Sequence, residues 1–167
     1  MEVVGERLDL PASYGSPTTP LAWAVAEERL TAAMHHWIAT TRPDGRPHSV
    51  PVDGVWLDDT LLFGGDPATV HVRNLVGNPR VVAHTESGDS PVIVEGVADW
   101  YQPGSAYAKR LAAATKTKYG FGQSATSYRA GLWRLQPPWS WPGPCSTRTP
   151  PVSGSGPDPG PGQPPGA

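Results

Sequence analysis

Cysteine is almost absent from this sequence, because Cys145 is the only one among 167 residues. A single thiol excludes a disulfide framework and a cluster of thiolate metal ligands within one chain. Lysine is also scarce, with three lysines against ten arginines, and the formal net charge is -2. This balance gives no reason to expect nucleic acid or an anionic membrane surface as a partner.

Long apolar runs are missing as well. No stretch is apolar and long enough for a transmembrane helix. The opening residues, MEVVGERLDLP, carry acidic side chains and lack the apolar segment of a secretory signal. The sequence therefore predicts a cytoplasmic protein that does not bind a membrane.

The common motifs of nucleophilic, nucleotide-dependent and metal-dependent catalysis are absent too. The sequence contains no Ser-His-Asp spacing, Walker loop, G-x-G-x-x-G or H-E-x-x-H. No side chain stands out as a nucleophile. This pattern is typical of a redox enzyme whose cofactor performs the chemistry.

Hydrophobic periodicity predicts short strands with helices between them. We expect strands over residues 37–42, 47–58, 60–66, 79–87, 90–102 and 131–136. We expect helices over residues 21–34 and 105–120, and a third from Asp66, as N-cap before Pro67, to Gly77. Residues 120–130 resemble a loop. The prediction is a mainly β fold with peripheral helices, in the form of a small barrel.

Three segments are distinguished by composition. Residues 1–20 are expected to form a flexible arm, and residues 21–136 the barrel domain. Residues 137–167 contain eleven prolines and six glycines, and we expect them to be a disordered tail. The strand GLWRLQ before this tail has no hairpin partner after it, so the last strand of the barrel is predicted to be missing.

The stretch PATVHVRNLVGNPR is the first candidate site. Thr69 and Arg73 are four residues apart on one helical face, and His71 is nearby. An anion at this helix start would meet free backbone N–H groups, a hydroxyl and a guanidinium. The alternative is that Asp66 caps the helix and Arg73 is a solvated charge.

The strand SVPVDGVW is the second candidate site. Proline cannot donate a hydrogen bond to a strand ladder, so Pro51 indicates an edge or a bulge. A break there would expose backbone groups to a flat aromatic cofactor. The alternative is an ordinary edge strand.

Three weaker features have mainly structural interpretations. His84 and Glu86 lie on one strand face and would need a third metal ligand, for which His48 is the candidate. The pair His35–His36 indicates helix termination and a favourable interaction with the helix dipole. Residues 116–119, KTKY, indicate a solvated helix end, with a lysine facing an anionic ligand as the alternative.

Three segments together resemble the pyridoxamine-5′-phosphate-oxidase-like family: WIATTRPDGRPHSVPVDGVW, VHVRNLVGNPRVVAHTESGD and VIVEGVADW. The resemblance is closer to the flavin-dependent and deazaflavin (coenzyme F420)-dependent members, and it covers roughly residues 21–136. It implies a split β-barrel that works as a homodimer, with cofactors at the two subunit interfaces.

The resemblance also implies positions for the cofactor, FMN or coenzyme F420. The ring system would lie by Pro51 and Val52. The phosphate end would lie at or beside Thr69, His71, Arg73 and Asn74.

Two residues depart from the family pattern. Many relatives carry lysine where His71 stands, and a neutral imidazole would hold phosphate less firmly. Relatives often have an aromatic residue where Asp53 stands, and a carboxylate there would disfavour an anionic reduced flavin. The choice between the two cofactors therefore stays open.

The tail differs from what the resemblance implies. Relatives usually continue with a pattern such as V-V-x-A-W and a D-x-D-A-T-R loop. Trp139-Ser140 and Trp141-Pro142, read one nucleotide earlier, are forced to encode Val and Ala. Permissible third bases extend this reading to the expected ending, so we hypothesise a one-nucleotide slip near residues 136–138. The alternative is a genuine Pro/Gly linker.

The sequence as a whole predicts an FMN- or F420-dependent oxidoreductase that acts on a small organic substrate. We assign no protein side chain as a catalytic acid or base and expect no metal ligands. The alternatives are a non-catalytic split-barrel protein that binds flavin, F420 or haem, and an inactive product of the C-terminal frameshift.

Overall fold

Seven strands and four helices form within residues 22–137, the part of the chain that the computed structural model describes. The helices are α1 Trp23–Ala32, α2 Val70–Gly77, α3 Ser105–Tyr119 and α4 Ala125–Arg129. The strands are β1 His36–Thr41, β2 Pro47–Val52, β3 Gly54–Leu57, β4 Thr60–Phe63, β5 Arg80–Thr85, β6 Ile93–Tyr101 and β7 Leu132–Gln136. The predicted arm and nearly all of the predicted tail, with its missing strand and frameshift, lie outside the described residues.

All seven strands pair antiparallel in one sheet, in the order β2-β1-β5-β6-β7-β4-β3. The two edge strands, β2 and β3, are consecutive in the chain and are separated only by Asp53. Because one residue advances the chain by about 3.8 Å, the two edges of the sheet must meet, and the sheet curls into a barrel that is split at Asp53. The predicted mainly β split barrel is confirmed, and so is the edge position of Pro51.

Two apolar clusters stabilise this barrel. The larger cluster fills its interior and includes Leu30 of α1, Leu75 of α2 and the strand residues Ile38, Phe63 and Leu135. The smaller cluster contains Val55, Leu62, Leu111 and Leu132, and it packs α3 against the outer face of β3, β4 and β7. Both faces of β7 are therefore buried, since Leu132 and Trp133 are each less than a tenth exposed. None of the four helices has the length and apolar content needed to span a bilayer.

The last described strand is not an unpaired edge. β7 lies between β6 and β4 and pairs with both of them. The expectation that GLWRLQ lacks a hairpin partner was wrong as an argument for an open edge, because its partners precede it in the chain. Any further strand would fall beyond Pro137 and outside the described residues.

Two local predictions also need correction. Helix α2 begins at Val70 rather than after Asp66, because Asp66 forms a turn in which its carboxylate accepts the Ala68 N–H at 2.7 Å and its carbonyl accepts the Thr69 N–H at 2.9 Å. The segment 120–130 is not all loop, since α4 forms there with Ser124 Oγ accepting the Ser127 N–H at 3.1 Å. The end of α3 at Gly120 is confirmed, with φ of 73°.

His36 lies at the start of β1 and is fully buried. Its Nε2 donates to the carbonyl of Leu30, in the last turn of α1, at 2.9 Å, and its Nδ1 has no partner. The interpretation as helix termination is therefore correct for His36. A favourable charge on the helix dipole is not, because burial first and the nearby Lys118 ammonium second lower the pKa of His36 to about 4.

We expect this histidine to make the fold acid-sensitive. The unfolded chain takes up a proton near pH 6.5, while folded His36 takes it up only near pH 4. Stability is thus present above the unfolded pKa and is lost as the pH falls through this window, by about 2–3 kcal/mol. Burial also lowers the pKa of His71, which contributes with the same sign. Urea titrations from pH 7 to about pH 4 should show a shallower loss in His36→Gln than in wild type, whereas His84→Gln should keep the full loss.

Candidate functional site

The split between β2 and β3 is held by the end of α3. The Tyr119 hydroxyl accepts the Gly54 N–H at 3.0 Å and donates to the Met34 carbonyl at 2.7 Å. The Lys118 ammonium donates to the Gly54 carbonyl at 2.6 Å. Both backbone groups of the first residue of β3 are therefore bonded by side chains rather than by a neighbouring strand.

Burial changes the acid–base properties of both side chains. It lowers the pKa of Lys118 to about 8, although the charges of Asp53 and Glu86 act to raise it. It raises the pKa of Tyr119 to about 12. The interpretation of KTKY as a solvated helix end is wrong for these two residues, and no local pattern in the sequence indicates their contact with a strand 64 and 65 residues away.

The other side of Gly54 is closely packed. A Cβ atom at this position would lie 2.9 Å from Leu61 Cδ1 and 3.1 Å from His36 Nδ1. Glycine is thus required for the core to approach the split, while Tyr119 and Lys118 fix the same residue from outside.

Removing the Tyr119 hydroxyl should test this arrangement. We expect Tyr119→Phe to lower the free energy of unfolding by about 1–2 kcal/mol, because it leaves the partly buried Gly54 N–H without an acceptor. The control is Tyr107→Phe, whose hydroxyl donates to the Leu57 carbonyl over a long 3.4 Å and should contribute less to stability. Equal losses in the two variants, measured by urea denaturation, would argue against a specific role for Tyr119.

A cleft of 510 Å³ opens beside the split, between α3, α4 and the β3–β4 hairpin. Its wall includes Val52, Phe63, Leu111, Tyr119, Phe121 and Tyr128. Inside it, the Tyr128 hydroxyl donates to Thr115 Oγ1 at 3.0 Å, and Thr115 donates to the Leu111 carbonyl at 2.8 Å. A mostly apolar concavity of this size with a few polar groups is typical of a small-molecule site.

The first predicted site, at the start of α2, is partly accessible. Thr69 is the N-cap, but its hydroxyl donates to the Asp66 carbonyl at 2.7 Å and does not cap the helix. Arg73 is exposed one turn later. The idea that Asp66 caps the helix directly is wrong, because its carboxylate bonds Ala68, before the helix begins.

His71 and Asn74 lie on the buried side of α2. His71 is 8% exposed and its Nε2 has no hydrogen-bond partner. Its pKa is lowered by burial and, less strongly, by His48, while the Gly64 carbonyl acts to raise it. The Asn74 amide donates to Thr40 Oγ1 at 2.9 Å, so this side chain fastens α2 to β1.

Pro51 and Val52, the second predicted site, point to opposite faces of β2. Val52 is buried and lines the cleft. Pro51 is exposed on the outer face, where its cross-strand partner is Trp37. The two side chains cannot contact the same ring from one side, and they share only their position beside the split.

A glycine pair joins the two predicted sites. Gly64 lines the cleft, and a Cβ at Gly65 would lie 2.6 Å from both His71 Nε2 and Val72 Cγ2. The wall of the cleft therefore continues directly into the start of α2. These glycines were not among the predicted site residues, although a Gly-Gly pair between a strand and a helix is a recognisable signal.

The weaker histidine candidates form no metal site. Between residues 22 and 137 no group of three His, Cys, Asp or Glu side chains is arranged to hold a metal ion. His84 Nδ1 bonds the Thr85 carbonyl at 2.8 Å. His35 lies between two carboxylates, 2.9 Å from Glu86 and 3.4 Å from Asp53.

Solved structures share this fold at low sequence identity. An F420 reductase has 20% identity and a TM-score of 0.51, over 66% of this chain and 91% of that one. The FAD-binding protein from Mycobacterium smegmatis has 21% identity and a TM-score of 0.51, over 70% and 89%. HutZ, the haem storage protein from Vibrio cholerae, has 19% identity and a TM-score of 0.52, over 69% and 87%.

These likenesses establish the fold alone. No curated protein matches the sequence. The family described as pyridoxamine 5′-phosphate oxidase, however, matches residues 23–137, which include every described strand and helix. This chain therefore belongs to the pyridoxamine 5′-phosphate oxidase family.

Proposed function

We propose that the protein is an oxidoreductase that binds FMN or coenzyme F420 and acts on a small organic substrate. The observation that carries this proposal is the continuity between the start of α2 and the cleft through Gly64 and Gly65. The cofactor phosphate would lie at α2, and its ring would lie beside Val52 at the split. When bound, the cofactor would supply hydride or electron transfer at its ring.

The residues at the start of α2 fit an anionic group. The first N–H groups of this helix have no side-chain cap, and such groups attract anions. Arg73 is exposed on the same face as Thr69 and would supply the permanent positive charge. His71 Nε2 is an unpartnered buried nitrogen at the same helix end. Asn74 would act indirectly, because its bond to Thr40 fixes the position of α2.

The residues at the split would orient the ring. Tyr119 and Lys118 bond both backbone groups of Gly54, so the chain on either side of Asp53 is held in one conformation. Pro51 would stiffen β2 from the outer face, and Val52 would provide the apolar contact in the cleft. These groups position the cofactor and exclude water, and none is assigned as a proton donor.

We further propose a homodimer in the cytoplasm. Four cross-strand neighbours, Pro51, Trp37, His84 and Ile93, form a row across β2, β1, β5 and β6. Trp37 stacks on His84, and Trp37 and Ile93 are 36% and 62% exposed. An exposed apolar row of this kind supports an interface between subunits. The scarcity of cysteine supports a reducing compartment.

The test is a titration of the full chain with FMN and with F420, in which the fluorescence of the cofactor reports binding. We expect saturable binding of one of them, with one cofactor per chain. Failure of both to bind would refute the proposed function.

Sedimentation of wild type and of Trp37→Glu should give a dimer and a monomer, and a monomeric wild type would contradict the proposed interface.

A non-catalytic carrier of flavin, F420 or haem is the second candidate. The observation that favours it is that both ionisable side chains of α3 at the split, Lys118 and Tyr119, are bonded to backbone groups. Reduction of the bound cofactor followed by turnover of an electron acceptor would support the enzyme. Stable binding without turnover, or spectroscopic binding of added haem, would support the carrier.

A further inference from the structure

The cleft beside the split is poor in positive charge. Of the described residues that line it, Asp53 is the only charged one. The nearby Lys118 ammonium does not line the cleft and donates to the Gly54 carbonyl at 2.6 Å. A phosphate ester or a carboxylate would therefore lose its hydration on entering without gaining a cationic partner.

The hydroxyl groups in the wall present acceptors rather than donors. The Tyr128 proton is donated to Thr115, and the Thr115 proton is donated to the Leu111 carbonyl. The Tyr119 proton is donated to the Met34 carbonyl. The Tyr119 oxygen also accepts the Gly54 N–H, so the remaining acceptors in the wall are those of Tyr128 and Thr115. These suit a ligand that brings N–H groups, while Gln123 at the rim can donate to or accept from a ligand.

The rest of the wall suits a flat apolar body. The aromatic side chains of Tyr119, Phe121 and Tyr128 line the cleft together with Leu111 and Leu132. Aromatic and leucine side chains of this kind bind planar hydrocarbon surface. Rings also attract cations over their faces.

Three charged or titratable groups surround Asp53. His35 Nε2 lies 3.4 Å from its carboxylate, and His35 Nδ1 lies 2.9 Å from the Glu86 carboxylate. The Lys118 charge interacts with both carboxylates. Two carboxylates thus face one ammonium and one histidine, and the Asp53 side chain is 59% exposed, so it can contact a ligand at the rim.

We propose that the cleft binds a small organic cation with a flat apolar body, such as a protonated aromatic amine, with its cationic end at Asp53. Calling this molecule the substrate rests on the proposed function, whereas the binding preference does not. The cofactor phosphate would lie at the start of α2 beside Arg73, whereas no cationic side chain lines the described wall of the cleft for an anionic substrate.

Three probes of matched shape test the preference: 2-naphthylmethylamine, 2-naphthamide and 2-naphthoate. They should be titrated into the full chain at neutral pH in a phosphate-free buffer, with amide-resolved NMR as the readout. We expect the amine to bind tightest and the naphthoate at least about tenfold more weakly, with shifts centred on Phe121 and Gly122. Naphthoate binding equal to or tighter than amine binding, shifts centred elsewhere, or no binding of any probe would overturn the proposal.

A matched pair of variants tests the role of Asp53. Asp53→Asn should bring amine and amide to within about twofold of each other, while Asp44→Asn should keep the wild-type ratio. Asp44 is suitable because it is an exposed carboxylate in the β1–β2 turn that pairs with Arg46 at 2.7 Å. An unchanged ratio in Asp53→Asn would overturn the assignment of the cationic end.

The cofactor titration separates this inference from the proposed function. Amine preference without FMN or F420 binding would refute the oxidoreductase and leave the cleft assignment standing. FMN or F420 binding together with naphthoate preference would refute the cleft assignment alone. The probes should therefore be measured both before and after saturation with whichever cofactor binds.

Discussion

Replacing Gly96 with alanine is expected to lower the free energy of unfolding by about 3 kcal/mol or more. Gly96 lies in β6, beside the pair Val97–Gln136 that joins β6 to β7. A Cβ atom there would lie 2.3 Å from the Gln136 carbonyl oxygen and 3.0 Å from its carbonyl carbon. Because both atoms belong to the backbone, no side-chain rotation relieves the overlap, and β7 must move away from β6.

Thermal and urea denaturation would measure this loss. A change of this size corresponds to a fall in melting temperature of roughly 10–20 °C for a domain of this length. Gly88→Ala is the control, since it lies in the turn between β5 and β6 and has nothing within 4 Å of its Cβ position. We expect that variant to stay within about 0.5 kcal/mol of wild type. A Gly96→Ala protein as stable as wild type would contradict the described approach of β7 to β6.

Much of the fold follows from local signals in the sequence. The Pro-Asp-Gly turn before β2, the Asp58–Asp59 turn before β4 and Gly120 after α3 each act through a few neighbouring residues. The two turn aspartates have φ of 51° and 57°, a conformation that Asp tolerates better than most residues. Such signals predicted six strands in their order along the chain, where the structure has seven, because strand alternation and turn chemistry need no knowledge of distant partners.

The closure of the barrel could not be predicted in the same way. The long predicted strand over residues 47–58 divides at Asp53 into the two opposite edges of the sheet. The sequence indicated a break only at Pro51, two residues earlier. Which strands flank β7 depends on contacts between distant segments, and alternation within GLWRLQ cannot specify them.

In the candidate site, too, local spacing predicted some residues, whereas others depend on contacts between distant segments. Thr69, His71 and Arg73 were selected because helical spacing places them within one turn. The structure has Thr69 at the N-cap of α2 and Arg73 exposed one turn later, while His71 lies on the buried side of the helix. Tyr119 and Thr115 were not selected as site residues, because each meets the site through the packing of α3 on the sheet. The opposite directions of the Pro51 and Val52 side chains do follow from strand alternation. Because of them, the two side chains cannot both contact one face of a cofactor ring.

Arg73→Ala is expected to weaken FMN binding roughly tenfold to a hundredfold. A charge-assisted hydrogen bond to a phosphate contributes about 1.5–3 kcal/mol, and each 1.4 kcal/mol changes the dissociation constant tenfold. Arg73 is exposed and one turn into α2, so its removal should leave the packing of Val72 and Leu75 intact. The melting temperature without cofactor should therefore remain close to that of wild type.

Two controls show whether the loss of FMN affinity comes from the contact between Arg73 and the phosphate. Arg80→Ala removes the same charge from an exposed position at the start of β5 and should leave FMN affinity within about twofold of wild type. Riboflavin lacks the phosphate, so wild type and Arg73→Ala should bind it equally well. If F420 is the cofactor that binds, its phosphate-free deazaflavin fragment takes the place of riboflavin.

The outcomes of this comparison distinguish binding from packing. A loss for FMN but not for riboflavin would place the phosphate at the start of α2. An equal loss for both ligands would show that Arg73 acts through the shape of the helix rather than through its charge. Unchanged FMN affinity would refute the phosphate assignment, since Arg73 is the only permanent positive charge that α2 carries.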